Sequence, residues 1–159
     1  MPATPRPPTE GHAWVFSSHL RHHVRHLAAS TGVPWRVIAL LAGVPSGTVS
    51  AIIGPTGRPR ARIREVDARQ LLNLTSEAIL AAERTTVPVT PTVHRIEALE
   101  GAGHGRSQIA HYLNVSQAEL DLLTSGRLVT CTLMVRVRAQ AACEAHGLWW
   151  SEPGSTRGT

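Results

Sequence analysis

The sequence predicts an all-α protein built from two tandem repeats, and three observations carry that reading. Two windows of equal length, WRVIALLAGVPSGTVSAI from Trp35 to Ile52 and RSQIAHYLNVSQAELDLL from Arg106 to Leu123, put apolar, small and turn residues at the same places. No run of β-branched residues alternates with period two around Asn-Gly turns, which argues against a sheet. Apolar residues make up 42% of the chain but aromatics only 4%, so the cores must be aliphatic and Ala-rich, a composition suited to closely packed short helices. A chain of 159 residues accommodates one or two small domains, and two repeats of about 60 residues fit that length.

Taken in order, residues 1–12 (MPATPRPPTEGH) are Pro-rich with no apolar core. They read as a disordered tail, neither a signal peptide nor a membrane anchor. The first unit, residues 13–75, opens with a helical stretch, HLRHHVRHLAASTG, whose apolar stripe is Leu20, Val24, Leu27 and Ala28. His19, His22, His23 and His26 share this helix, and the pairs His19/His23 and His22/His26 have metal-binding spacing. No nearby carboxylate or Cys completes such a site, so a solvated basic face shared with Arg21 and Arg25 is expected and no metal.

The first window follows. Ile38, Ala42, Val44, Val49 and Ile52 supply its apolar places, and Ala39 is small where two helices cross. Gly43 occupies the turn, where positive φ is needed and glycine adopts it cheaply. Pro45 or Ser46 starts the next helix, because Pro45 has no amide hydrogen to leave unpaired and Ser46 can cap the free amides. This is the helix-turn-helix pattern, whose second helix is the usual probe of the DNA major groove. Next comes GPTGRPRARIR, which puts Arg58, Arg60, Arg62 and Arg64 in a Gly/Pro-broken loop, and then a helical IREVDARQLLNL.

Residues 76–91, SEAILAAERTTVPVTP, read as a short helix and a linker broken by Pro88 and Pro91. The second unit spans residues 92–150. VHRIEALEGAG corresponds to the opening helix of the first unit, and Ile109, Ala110, Leu113, Asn114, Val115, Leu120 and Leu123 take the window places of Ile38, Ala39, Ala42, Gly43, Val44, Val49 and Ile52. Asn114 for Gly43 is the exchange a left-handed residue allows. A second full match implies internal duplication. The closing helix is LMVRVRAQAACEAHGLWW, with Trp149 and Trp150 expected to dock on its own core, and residues 151–159 form a second disordered tail. Placed on one helix, Cys131 and Cys143 would stand about 18 Å apart. That is too far for a disulfide, so both are expected as buried free thiols, in keeping with a cytoplasmic protein.

The charge is divided unevenly. All 16 basic side chains other than His are Arg; residues 1–75 carry a net +6 and residues 76–159 a net −1. The first half is therefore the one expected to meet a polyanion. On its probe helix Ser46, Gly47, Thr48, Ser50 and Ala51 face outward. These outward side chains are small or hydroxyl-bearing, and none can make the bidentate base contacts that discriminate strongly. The loop arginines suit phosphate or narrow minor-groove contact, and Arg36 is a further candidate phosphate ligand. In the second unit the outward places hold Gln117, Ala118, Glu119, Asp121 and Leu122, with carboxylates where the first unit has Thr48 and Ser50. Facing phosphate they would repel it, so a structural, dimerising or partner-binding role is expected. No Ser-His-Asp spacing, paired catalytic carboxylates or phosphate-cradling Gly loop occurs, and no enzyme is expected.

AGVPSGTVSAI closely resembles AGVS-x-x-TVS-x-V of the lactose-repressor family of DNA-binding domains. The resemblance implies that Ser46, Gly47 and Ala51 face bases while Thr48 and Ser50 bind phosphates. Gly57-Arg58-Pro59 resembles the core of AT-hook peptides, with Thr56 where an Arg usually stands. Over residues 12–153 the layout resembles tandem helix-turn-helix regulators of high-GC Gram-positive bacteria and their phages. HVRHL, GVPWRVIA, the GTVSAI helix, the Arg-rich loop, a degenerate second unit and the aromatic end of the last helix carry that likeness. It implies a sequence-preferring double-stranded DNA-binding protein, a transcriptional regulator or a phage or prophage repressor-like protein. It implies no cofactor. A homodimer through the second unit is expected and no membrane association. The rival readings are a protein-binding adaptor that uses helix-turn-helix units for assembly, and a recombination accessory factor.

Overall fold

The structure, a computed structural model, describes residues 14–54 and 62–148. The chain forms two compact units, Met1–Ile79 and Leu80–Thr159. Helices hold 67% of the described residues, and none of these is long and apolar enough to cross a membrane.

In the first unit a short strand, β1 (Trp14–Phe16), leads into α1 (Ser18–Thr31), α2 (Trp35–Ala42) and α3 (Ser46–Ile53). Strand β2 (Arg62–Arg64), α4 (Glu65–Asn73) and the start of α5 (Ser76–Ala81) complete it. Helix α1 buries Leu20, Val24 and Leu27 on one stripe, and α2 contributes Val37, Ile38 and Ala39. Val49 and Ile52 of α3 close the angle between them, both without exposure. Ala39 is also fully buried, so a larger side chain would force the helices apart. Gly43 ends α2 with φ 73°. Its amide donates to the Leu40 carbonyl and the Val44 amide to the Ala39 carbonyl, at 3.2 and 3.0 Å. This pair of bonds satisfies the last carbonyls of α2 and sets the chain on course for α3.

The second unit repeats the order of elements: β3 (Thr86–Pro88), α6 (Thr90–Gly101), α7 (Arg106–Leu113), α8 (Gln117–Thr124), β4 (Thr130–Thr132) and α9 (Leu133–Ala145). Its core joins Ile96 and Leu99 of α6, Ile109 and Leu113 of α7, Leu120 and Leu123 of α8, and Ala139, Ala142 and Cys143 of α9. Asn114 turns the corner with φ 54°, the one non-glycine with positive φ among the described residues. The Asn114 and Val115 amides donate to the His111 and Ala110 carbonyls at 3.1 and 3.0 Å, the same pair of bonds as at Gly43.

The all-α expectation is corrected in one respect. Each unit carries a two-stranded antiparallel sheet, β1 with β2 and β3 with β4, in the registers Val15↔Ile63 and Val87↔Cys131. Each strand is only three residues long. One inward side chain between two outward ones cannot display the alternation that marks a strand in a sequence. Residues 76–91 are also more ordered than a linker. Thr86–Pro88 pair as β3, Val89 is buried in the second core, and Pro91 sits in the first turn of α6. A proline there costs nothing, because amides of the first turn have no helical acceptor, and Pro88 lies on a sheet edge where a missing amide is tolerated. Both cysteines are free and buried, Cys131 on β4 immediately before the last helix and Cys143 on that helix. Burial pushes the Cys143 thiol above its usual range, against the pull of Arg95.

Candidate nucleic-acid interface

Helix α3 presents a low, hydroxyl-bearing surface. Gly47 is exposed, and Ser46, Thr48, Ser50 and Ala51 are half-buried beside the inward Val49 and Ile52. Pro45 is the residue before the first turn, with φ −54° and ψ 134°, and no side chain caps the helix there. Ser46 is therefore the first helical residue and not the cap expected from the sequence. The Thr48 and Val49 amides donate instead to the Pro45 carbonyl, at 3.0 and 3.3 Å. At the far end Arg21 of α1 donates from Nε to the Ile52 carbonyl at 2.7 Å. A cation at a helix C-terminus is favourable, and here it ties α1 to the end of α3.

Beside α3 lies the two-stranded β1–β2 ribbon, called the wing below. Ile63 points inward and is buried, while Arg62 and Arg64 point outward and are exposed. Directly opposite them in the ladder stand Phe16 and Trp14. These aromatic side chains are 69% and 56% exposed, large values for apolar rings with a core at hand. The Arg62 guanidinium lies 5.3 Å from the centre of the Phe16 ring. Arg64 donates from Nε to the buried Asp67 carboxylate at 3.2 Å, which fixes its stem at the start of α4. Trp14, Thr48, Arg62 and Arg64 border one shallow depression together with Ile52, Ile63 and Asp67. The helix hydroxyl and the wing's cations are thus parts of one surface.

Arg36 starts α2, half-buried, with its guanidinium 4.7 Å from the Trp35 ring centre. Arg58 and Arg60 lie outside the described residues, as do Trp149, Trp150 and both expected tails. Of the four α1 histidines, His19, His22 and His26 are exposed. His23 differs: its Nε2 lies 3.0 and 3.1 Å from the carbonyls of Leu71 and Leu74 at the end of α4. Carbonyls only accept, so the proton is on Nε2, and His23 pins α4 to α1 instead of facing solvent. Among the described residues no three His, Cys, Asp or Glu side chains converge as a metal would require.

In the second unit the two carboxylates on α8 have partners in their own unit. The Ser116 hydroxyl accepts from the Glu119 amide at 3.1 Å, and Glu119 Oε2 accepts from the Ser116 amide at 3.0 Å, a reciprocal cap. Arg106 donates to Asp121 Oδ1 at 2.8 Å, to Glu100 Oε1 at 2.6 Å and to Thr124 Oγ1 at 3.0 Å. Its wing is plain, with Thr86, Pro88, Thr130 and Thr132 at the places of Trp14, Phe16, Arg62 and Arg64. Sequence reading missed the two wing aromatics. The only trace of β1 in the sequence is the triplet Trp14-Val15-Phe16, and its partner strand stands beyond three intervening helices. Comparison with protein-family models, with curated proteins and with solved structures finds no match for this chain.

Proposed function

We propose that the chain is a sequence-preferring double-stranded DNA-binding protein, a transcriptional regulator or a phage-type repressor, whose DNA contact lies in the first unit. The observation that carries this reading is the adjacency of the α3 hydroxyl face and the Arg-bearing wing in the half of the chain with net +6. Helix α3 enters the major groove with Ser46, Gly47 and Ala51 toward the bases and Thr48 and Ser50 toward phosphates, as the resemblance to the lactose-repressor family implies. Small side chains there allow close approach but few bidentate contacts. DNA shape then supplies part of the selectivity. Arg36, Arg58, Arg60, Arg62 and Arg64 add phosphate contact.

The shared element order, and the matching corners at Gly43 and Asn114, support descent of both units from one ancestor by duplication. Experimental coordinates in which residues 35–53 superpose poorly on 106–124 would count against it. The second unit, its carboxylates engaged at home, serves stability or assembly instead of DNA contact. Selection from a random duplex library at physiological salt tests the function. Enrichment of one motif is the expected result. No enrichment, with a protein captured by the chain in its place, would overturn this reading in favour of an adaptor.

A further inference from the structure

We infer that the exposed face of the β1–β2 wing is a second DNA contact, gripping the sugar–phosphate backbone that flanks the groove entered by α3. The inference rests on the DNA-binding reading above and adds Trp14 and Phe16 to the interface. It starts from the comparison between the two-stranded ribbons of the two units. Both have the same length, the same antiparallel pairing and one inward apolar residue on the inner strand, Ile63 or Cys131. The second unit builds its ribbon with Thr and Pro on the outer face. Arg64 answers to the buried Asp67, but nothing in the ribbon's own construction calls for the two aromatics and Arg62.

What the first wing gains is a surface of particular chemistry. Trp14 and Phe16 leave most of their area in water, at a cost in unburied apolar surface that a ligand would relieve. Arg62 is supported by a ring, and among the described residues no carboxylate pairs with it. Arg64 is oriented by Asp67 with its side chain still 48% exposed. Alternating cations and apolar rings match a backbone that alternates phosphates with deoxyribose. The shared depression with Thr48 makes this surface continuous with α3, so one duplex can touch both.

The test uses the full chain and the duplex enriched in the selection, or calf-thymus duplex fragments if none is enriched. The Trp14→Thr/Phe16→Thr variant borrows residues of the kind the β3–β4 ribbon carries, and thermal unfolding verifies that it folds. It is expected to bind about tenfold more weakly with an unchanged salt slope, since no charge is removed. Arg62→Thr is expected to lower the slope of log K against log salt by about 0.9, one phosphate contact. In hydroxyl-radical footprints both variants should lose flanking protection and keep the central protection due to α3. Wild-type affinity and footprint in the folded variants would overturn the wing contact. Failure of the wild-type chain to bind any duplex would instead overturn the DNA-binding reading itself, so the two failures are distinguishable.

Discussion

Gly43 and Asn114 hold the same corner in the two units with two different residue types, and the physics of that corner is testable by exchange. At Gly43 a Cβ would meet nothing within 4 Å, so the cost of Gly43→Ala comes from the backbone alone at φ 73°. That cost is about 1–2 kcal/mol, and about 4–8 °C of melting temperature per kcal/mol is the usual scale for a domain of this size. Asn114→Gly, at a position already left-handed, is expected to change stability by only a few tenths of a kcal/mol. Thermal unfolding of both variants checks the pair, and an Ala at position 43 that leaves the melting temperature unmoved would contradict the turn's geometry. Both positions were legible in the sequence, because an αL corner restricts residue type wherever it occurs. His23 was not. Its carbonyl partners belong to the far end of α4, so a histidine on the flank of α1 looks solvated until α4 is laid against it.

Helices α3 and α8 occupy equivalent places, yet their carboxylates and hydroxyls answer to different demands. Helix α3 begins after a proline with no side-chain cap, while α8 begins with the reciprocal Ser116–Glu119 pair. Glu119 and Asp121 differ in turn, since one completes a cap and the other makes a salt bridge with 68% of its side chain exposed. Glu119→Ala keeps the Ser116 hydroxyl bond to the backbone amide of residue 119 and removes only the return bond from the Ser116 amide, a loss expected to cost about 0.5–1.5 kcal/mol. Asp121→Ala should cost less, because exposed ion pairs contribute little. Urea unfolding of the two variants checks the order, and a reversed order would mean that the Arg106 network outweighs the cap. From the sequence, these carboxylates were visible only as repellents of phosphate; their partners at Ser116 and Arg106 supply a second reason for their presence. The strands were hidden at this scale too, each being a bare triplet.

For the molecule as a whole, the division of charge and of surface chemistry between the units sets the expected assembly. On the DNA-binding reading proposed above, a net +6 over residues 1–75 against −1 over residues 76–159 leaves the second half for other contacts. A single helix with small outward residues buries little interface, so useful affinity needs a second contact. A homodimer through residues 92–150 supplies one by repeating the first unit over two half-sites, and Leu122 and Val129 are exposed apolar residues on that unit, at 45% and 82%. Light scattering of the isolated chain at micromolar concentration is expected to give twice the chain mass of 17.1 kDa. A monomer that binds one-to-one to an asymmetric site would rule the dimer out and leave the wing as the additional contact.

Helix order, the two window repeats, the corners at Gly43 and Asn114 and the apolar stripes were determined by the sequence alone. Each rests on local rules: helical periodicity, the rarity of positive φ and the amphipathic pattern act within about one or two turns of chain. The wing is the counter-example. Trp14 meets Arg64 and Phe16 meets Arg62 because an antiparallel ladder closes across most of the first unit, and nothing within either triplet specifies that partner. Likewise Asp67 orients Arg64 and Arg106 gathers Glu100, Asp121 and Thr124 only once their helices are packed. Tertiary structure decided which charges are held and which stand open, because ion pairs and ring contacts depend on distance in space and local periodicity carries no information about it.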